Sequence, residues 1–300
     1  MKISGHTLGT PGMTLQEALS LFRRVGLDAA EIIWQDEYPA AIPENASDSQ
    51  IAHVKQLADE NGLDIDCLTP YMTDINSLDD ALREREITRF KKCIQAAHIL
   101  KCPNIRVYAG RWIAGDGEKE AKYEKLVLSL QEIGAYAQQG GVTLCVENHF
   151  NTMTVSAKET ADLVSHVNSP GVAVLYDQAN LTFTHNELYQ EAIDLQKGKI
   201  RHVHVKDLLF VDAGKPFQAS AVAQVSREER SVRSRVVSEG ILDWYAILSY
   251  LVHSAEYRGS LSLEYEYRWH PYDLPEPETG FRNGANAIRR FLTDILKEGL

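Results

Sequence analysis

The run Gly140-Gly-Val-Thr-Leu-Cys-Val-Glu-Asn-His149 decides how the rest of the chain is read. Its paired glycines stop a helical pattern, and the apolar stretch that follows has the length of a buried strand. The strand then delivers a carboxylate, Glu147, near its exit. Three later runs repeat the arrangement. Val172-Ala-Val-Leu-Tyr-Asp177 ends on Asp177, Ile200-Arg-His-Val-His-Val-Lys206 carries His204 near its end, and Ser260-Leu-Ser-Leu-Glu264 closes on Glu264. A buried charge is costly unless it is paired or bound to a cation, so these residues at equivalent depth suggest a single metal site.

Working outward, strand-like and helix-like patterns alternate along the whole chain. Thr14 and Glu17 have the spacing of a capping box, and Leu15, Ala18, Leu19, Phe22 and Val25 recur at helical spacing before Gly26 stops the helix. Strands are predicted at 2–8, 29–34, 63–68 and 104–108. Helices are predicted at 78–100, 118–139, 157–166, 186–196, 243–253 and 281–297, with another carrying Ile51, Val54, Leu57 and Ala58 on one face. Strands each followed by a helix, with no break in composition, predict an α/β chain folded as a single (β/α)8 TIM barrel, one domain over 1–300. A doubly wound sheet would need a glycine-rich phosphate turn after an early strand; Gly9-Thr-Pro-Gly12 reads as an ordinary turn.

A barrel adds geometry. Side chains alternate between interior and helix layer, and active sites sit at the C-terminal mouth. His202, His204 and Lys206 share one face, and depth favours His204 as the ligand. The same parity groups Glu147 with His149 and Glu264 with Glu266. Taken singly, each residue has a plainer reading. His202 is read as a hydrogen-bonded structural histidine, and Glu31 and Glu266 as solvated strand-end charges or helix-cap partners.

Composition narrows the function. A net charge of −11, with pI near 5.4, argues against nucleic acid as a partner, because that affinity comes largely from clustered Lys and Arg. The cysteines Cys67, Cys93, Cys102 and Cys145 are scattered without a CxxC pair and are expected to be reduced thiols in a cytoplasm. The opening Met-Lys-Ile-Ser-Gly-His lacks the apolar stretch of a signal peptide, and no uncharged run approaches a membrane span. The expectation is a cytoplasmic protein without membrane or nucleic-acid partners.

The segments Val-Glu-Asn-His, Leu-Tyr-Asp-Gln-Ala-Asn, His-Val-His-Val-Lys-Asp and Leu-Ser-Leu-Glu-Tyr-Glu, in this order and spacing, resemble the xylose isomerase-like TIM barrel superfamily of sugar phosphate isomerases and epimerases. The resemblance covers nearly the whole chain, with its specific motifs in the second half. It implies one divalent cation held by Glu147, Asp177, His204 and Glu264. Three carboxylates and an imidazole suit Mn²⁺ first, with Mg²⁺, Co²⁺ or Zn²⁺ as alternatives. It also implies a carbohydrate-like small molecule as substrate and a homo-oligomer, dimer or tetramer. Activity would run through an enediolate formed by proton abstraction next to a carbonyl, with Glu147 and Glu264 as opposed acid and base.

Further residues extend the site. Asn180 stands where similar epimerases often carry a substrate-binding His. His149 resembles the catalytic His of dehydroshikimate dehydratases, and Lys206 is placed to meet an anionic or carbonyl oxygen. His6 and Arg106 are weaker substrate-binding candidates, and an Arg can also lock strands together. The long segment 208–240, with Arg227, Arg230, Arg233 and Arg235 among Glu228 and Glu229, is expected to be a structureless loop or lid, with Arg235 offered to a substrate phosphate or carboxylate. Tyr265, Tyr267, Trp269 and His270 form an aromatic rim. The alternative activity is a metal-dependent dehydratase of the keto-inositol or 3-dehydroshikimate type. The zinc-cluster abasic-site endonucleases of the same superfamily fit poorly with the acidic charge and the single ligand quartet, and a decayed, non-catalytic barrel fits poorly with four intact ligands.

Overall fold

A computed structural model of the chain describes residues 1–113, 115–212 and 231–298. Its strands are β1 (Ile3–His6), β2 (Ala29–Trp34), β3 (Ala41–Ile42), β4 (Asp64–Pro70), β5 (Asn104–Val107), β6 (Thr143–Glu147), β7 (Val172–Asp177), β8 (Ile200–Val205), β9 (Asp207–Phe210), β10 (Val232–Arg235) and β11 (Ser260–Leu263). Eight of them form a closed parallel ring in the order β1, β2, β4, β5, β6, β7, β8, β11, while β3 only extends the exit of β2. Closure rests on β1, where Gly5 lies opposite Ala30 on one side and Leu263 on the other. The predicted (β/α)8 barrel is the observed fold.

Around the ring lie α1 (Leu15–Arg24), α2 (Asp48–Glu60), α3 (Asp80–Leu100), α4 (Lys119–Gln139), α5 (Ala157–Val167), α6 (Gln178–His185), α7 (Tyr189–Gln196), α8 (Trp244–His253) and α9 (Pro277–Glu298). The capping box read from Thr14 and Glu17 is present, each satisfying the other's backbone N–H. Phe22, Phe90, Leu130 and Leu251 are fully buried, each such side chain contributing about 1.5–3 kcal/mol of transfer free energy. Packing of α1 on β1 is close enough that a Cβ on Gly5 would lie 2.7–2.8 Å from Phe22 and Leu27. Among the described residues no helix is long and apolar enough to cross a membrane, and all four cysteines are free and buried.

Two register shifts re-aim side chains inside the ring. Ala30 pairs with Ile65 but Glu31 pairs with Cys67, leaving Asp66 as the extra residue of a bulge in β4. Val174 pairs with Ile200 but Leu175 with His202, so Arg201 is the extra residue of β8; Arg201 is exposed while His202 and His204 are buried.

Three local expectations differ from the structure. The helix expected at 186–196 is α7, and a further helix, α6, precedes it, because Asp177 ends β7 and at once caps α6 by accepting the Asn180 N–H. The last helix starts at Pro277 rather than 281. Within 208–240, the described part is not structureless: β9 and β10 pair antiparallel, with Arg233 opposite Leu209 and Arg235 opposite Asp207. The buried Asp207 carboxylate accepts the backbone N–H groups of Leu208, Ser238, Gly240 and Leu242 at 2.9–3.1 Å, pinning both ends of this segment to the barrel. Arg227, Arg230, Glu228 and Glu229 lie outside the described residues.

Candidate metal centre and active site

Glu147 is the last residue of β6, Asp177 the last of β7, and Glu264 follows β11, while His204 lies one residue before the end of β8. Strand geometry therefore brings all four to the same end of the ring. One donor atom from each lies within 4.8 Å of every other. His204 Nδ1 faces Glu147 Oε1 at 3.2 Å, Glu264 Oε2 at 3.5 Å and Asp177 Oδ2 at 3.8 Å. Glu147, Asp177 and His204 are fully buried, and the Glu264 side chain is 11 % exposed.

The donor set fits a divalent cation. A site lined by carboxylate oxygens and one imidazole nitrogen suits hard or borderline ions. Asp177 Oδ2 is buried without a well-directed hydrogen bond, a state that an ion at the centre of the quartet would relieve. Burial pushes the Asp177 carboxyl up to about 6, reinforced by the Glu264 and Glu147 charges and opposed by Lys206. Burial acts against the charged form of His204 as well, but Glu264, Glu31 and the hydrogen bond to Glu147 outweigh it and hold the imidazole well above its ordinary value. Glu264 also resists the upward push of burial, because Lys206 and His204 hold it well below the usual carboxylate range.

Lys206 reaches deeper into this centre than a strand-end lysine in solvent. Its ammonium contacts Glu264 Oε2 at 2.6 Å, Asp177 Oδ2 at 3.0 Å and Glu266 Oε1 at 3.5 Å. Glu266, read as a solvated charge, is partly buried and also accepts from Ser234 Oγ at 2.8 Å. Arg106 on β5 is bound to Glu147, donating from Nε to Oε2 at 2.6 Å and from Nη2 to the same oxygen. Its guanidinium lies between the rings of Tyr71 and Tyr108, 5.7 and 5.2 Å from their centroids. Arg106 is therefore a brace for the candidate ligand Glu147, the strand-locking use of an arginine. Although burial pushes Glu147 up, Arg106 and then His149 and His204 hold it below the usual range.

Glu31 requires a correction. Read from sequence as a solvated charge, it is fully buried on β2 and accepts from His202 Nε2 at 2.9 Å, His204 Nε2 at 3.2 Å and Thr69 Oγ1. His6 Nε2 lies 3.6 Å from it, while His6 Nδ1 accepts the Leu8 N–H. His202 is the hydrogen-bonded structural histidine expected, and His6 belongs to the same buried layer. No strand pattern reveals such a hub, since its partners come from β1, β4 and β8.

Asn180 caps the Asp177 turn and donates from Nδ2 to the Asn148 carbonyl at 3.0 Å and to Glu147 Oε1 at 3.4 Å. Asn148, missed in the sequence, links two ligand strands: its side chain donates to the Asp177 carbonyl at 2.7 Å and accepts the Asp177 N–H at 3.1 Å. His149 lies beyond the end of β6, so strand parity does not extend to it. Its Nδ1 bonds the Phe150 carbonyl at 2.7 Å, and its ring stacks 4.1 Å from Phe150 and 5.2 Å from Tyr108. Burial lowers its pKa, with Glu147 opposing. Arg235 on β10 donates to the Ser234 carbonyl at 2.8 Å and lines a cavity with Lys206, Glu264 and Glu266. In the aromatic rim, Tyr265 is buried and stacked on Tyr267, while Trp269 is 52 % exposed with Arg268 over its ring.

Fold and donor set together define a class: a (β/α)8 barrel with a cluster able to hold a divalent ion at the strand exits. The chain belongs to the xylose isomerase-like TIM barrel family, whose sequence profile matches residues 19–291. Its fold superposes on D-psicose 3-epimerase crystallised with D-fructose, with TM-score 0.76 and 18 % identity over 97 % of this chain and 99 % of that one. A D-tagatose 3-epimerase-like protein superposes with TM-score 0.76 and 15 % identity over 100 % of both chains. By sequence, inosose dehydratase 2 of Bacillus cereus is 27 % identical over 150 residues, 49 % of this chain and 48 % of that protein. The inosose dehydratase of Halalkalibacterium halodurans is 26 % identical over 153 residues, covering 49 % and 47 %. The chain spans about half the length of these curated relatives it matches.

Proposed function

We propose that this chain is a divalent-metal-dependent isomerase or epimerase of a sugar or sugar phosphate, working through an enediolate. The observation that carries the reading is the convergence of Glu147, Asp177, His204 and Glu264 within 4.8 Å at the exits of four neighbouring strands. These four residues would hold the ion, Mn²⁺ by preference. When bound, it supplies Lewis-acid polarisation of a carbonyl and neutralises the charge left when the adjacent proton departs.

The chain's own residues divide the remaining work. Arg106 occupies Glu147 Oε2, leaving Oε1 as the oxygen available at the centre. Glu264 is partly solvent-accessible, so it is the carboxylate better placed to exchange a proton with a substrate carbon and then with water. Lys206 donates to Glu264 and can pass that hydrogen bond to a substrate oxygen. Asn180 and Asn148 keep the Glu147 and Asp177 ends in register.

Dehydration is the second reading, favoured by the inosose dehydratase matches and by an ammonium positioned to assist departure of a hydroxyl. Both reactions begin with loss of a proton next to a carbonyl. The Mn²⁺-loaded protein is challenged in D₂O with ketoses, ketose phosphates, keto-inositols and dehydroshikimate, and products are followed by NMR and mass spectrometry. Deuterium at carbon without loss of water is the expected result. A product lighter by one water moves the assignment to the dehydratases, and no exchange with any member overturns both.

A further inference from the structure

The His204 imidazole has two nitrogens and two different environments. Nδ1 faces the carboxylate quartet, and Nε2 faces Glu31 Oε1 at 3.2 Å. Both nitrogens face a carboxylate, but only Nδ1 faces the candidate cation centre; with an ion taken up there, Nε2 is the nitrogen left to carry hydrogen, and an ionised Glu31 can only accept it. Such a ring presents its Nδ1 lone pair to the point between Glu147, Glu264 and Asp177 where the cation would stand.

We propose that Glu31 is the positioning residue that selects the cation-facing nitrogen of His204 and holds the ring in that orientation. The proposal rests on the metal-centre reading above and concerns how that centre is held. Glu31 is itself fixed from several directions. Oε2 accepts from His202 Nε2 at 2.9 Å, Oε1 also accepts from Thr69, and the side chain is fully buried on a strand. His6 adds a further imidazole at 3.6 Å; because its Nδ1 accepts the Leu8 N–H, its neutral ring directs Nε2–H toward Glu31. An anionic partner on the far nitrogen also makes the near nitrogen a stronger donor to a metal, and loss of such partners typically weakens metal binding by about 10–100-fold.

Glu31→Gln keeps the volume and removes the charge. Calorimetric titration with Mn²⁺ should show affinity reduced by about 10–100-fold relative to the unmutated chain, at matched circular dichroism. In the Mg²⁺-loaded protein, ¹⁵N–¹H spectra of the imidazoles should place hydrogen on His204 Nε2 in the unmutated chain, with that resonance shifted or lost in the variant. His202→Gln leaves Glu31 Oε1 in contact with His204, so it should weaken Mn²⁺ binding less. Equal Mn²⁺ affinity and an unchanged His204 resonance in Glu31→Gln would overturn the proposal while leaving the metal centre standing. An equally large loss in His202→Gln with the His204 resonance unmoved would reduce Glu31 to packing and overturn it as well. Failure of the unmutated chain to bind any divalent ion overturns both readings. Should Glu31→Gln not fold, Glu31→Asp, which keeps the charge but shortens the reach, is read instead and should show an intermediate affinity; unmutated affinity there would count against the proposal.

Discussion

The two halves of the barrel put charge in its interior for different purposes. Strands β6, β7, β8 and β11 bring Glu147, Asp177, His204 and Glu264 to face one another. Strands β1, β2, β4 and β5 supply His6, Glu31, Thr69 and Arg106, which contact those residues or one another. The second-half residues converge on one point, while Arg106 braces Glu147 and Glu31 braces His204 from outside it. A charge can stay inside a barrel either because an ion completes it or because another side chain does; the first half illustrates the second case, and the second half is the candidate for the first.

The sharpest way to break the comparison is to remove a brace. In metal-free protein, Arg106→Met leaves Glu147 buried without its guanidinium, and unfolding by urea should show a loss of about 3–5 kcal/mol. Adding Glu147→Gln should recover much of it, giving a large coupling in the double-mutant cycle. Additive effects would mean that Arg106 and Glu147 do not depend on one another.

Asp66 tests the opposite case, a first-half charge without a good partner. The bulge in β4 turns it inward, its carboxylate oxygens are buried without well-directed hydrogen bonds, and burial pushes its pKa from 3.8 up to about 6. The folded value lies above the unfolded one, so the folded chain takes up this proton first as pH falls. Its stability contribution is complete below the unfolded value and is lost as pH rises through about 6. Relative to the unmutated chain, Asp66→Asn should therefore be more stable at pH 7.5 than at pH 4.5, by about 2 kcal/mol, the part of the shift that falls between those pH values. The same relative stability at both pH values would show that Asp66 is solvated or paired.

Within the ligand half, Asn148→Ala sharpens the contrast at smaller scale. It strips the partners from the Asp177 N–H and C=O, both in the buried interior, and should cost about 1–3 kcal/mol. A shifted urea midpoint at unchanged slope is the expected signature. No shift would mean that β6 and β7 hold their register without this side chain.

The candidate ligand quartet was legible because each member follows or ends a short apolar run, a signal contained within a few residues. The eight-strand alternation was legible for the same reason. Elsewhere, local pattern ran out. His149 follows the end of β6, where alternation no longer applies, and its Nδ1 turns to the Phe150 carbonyl. The helix α6 was hidden because Asp177 serves as strand end and helix cap at once. The β9–β10 ladder pairs residues on either side of a long charged segment, which periodicity does not connect.

Glu31 marks the boundary between what the chain declares locally and what folding adds. Composition, apolar runs and the depth of four ligand-type residues are one-dimensional properties, and they determined the barrel and the candidate metal centre. The histidine partners of Glu31 on β8 lie 171 and 173 residues away. Their meeting depends on ring closure through β1 and on bulges in β4 and β8 that shift register by one residue. Only the tertiary structure decides which buried charges face the candidate metal centre and which face each other, because that choice depends on strand register around the ring and not on any single strand.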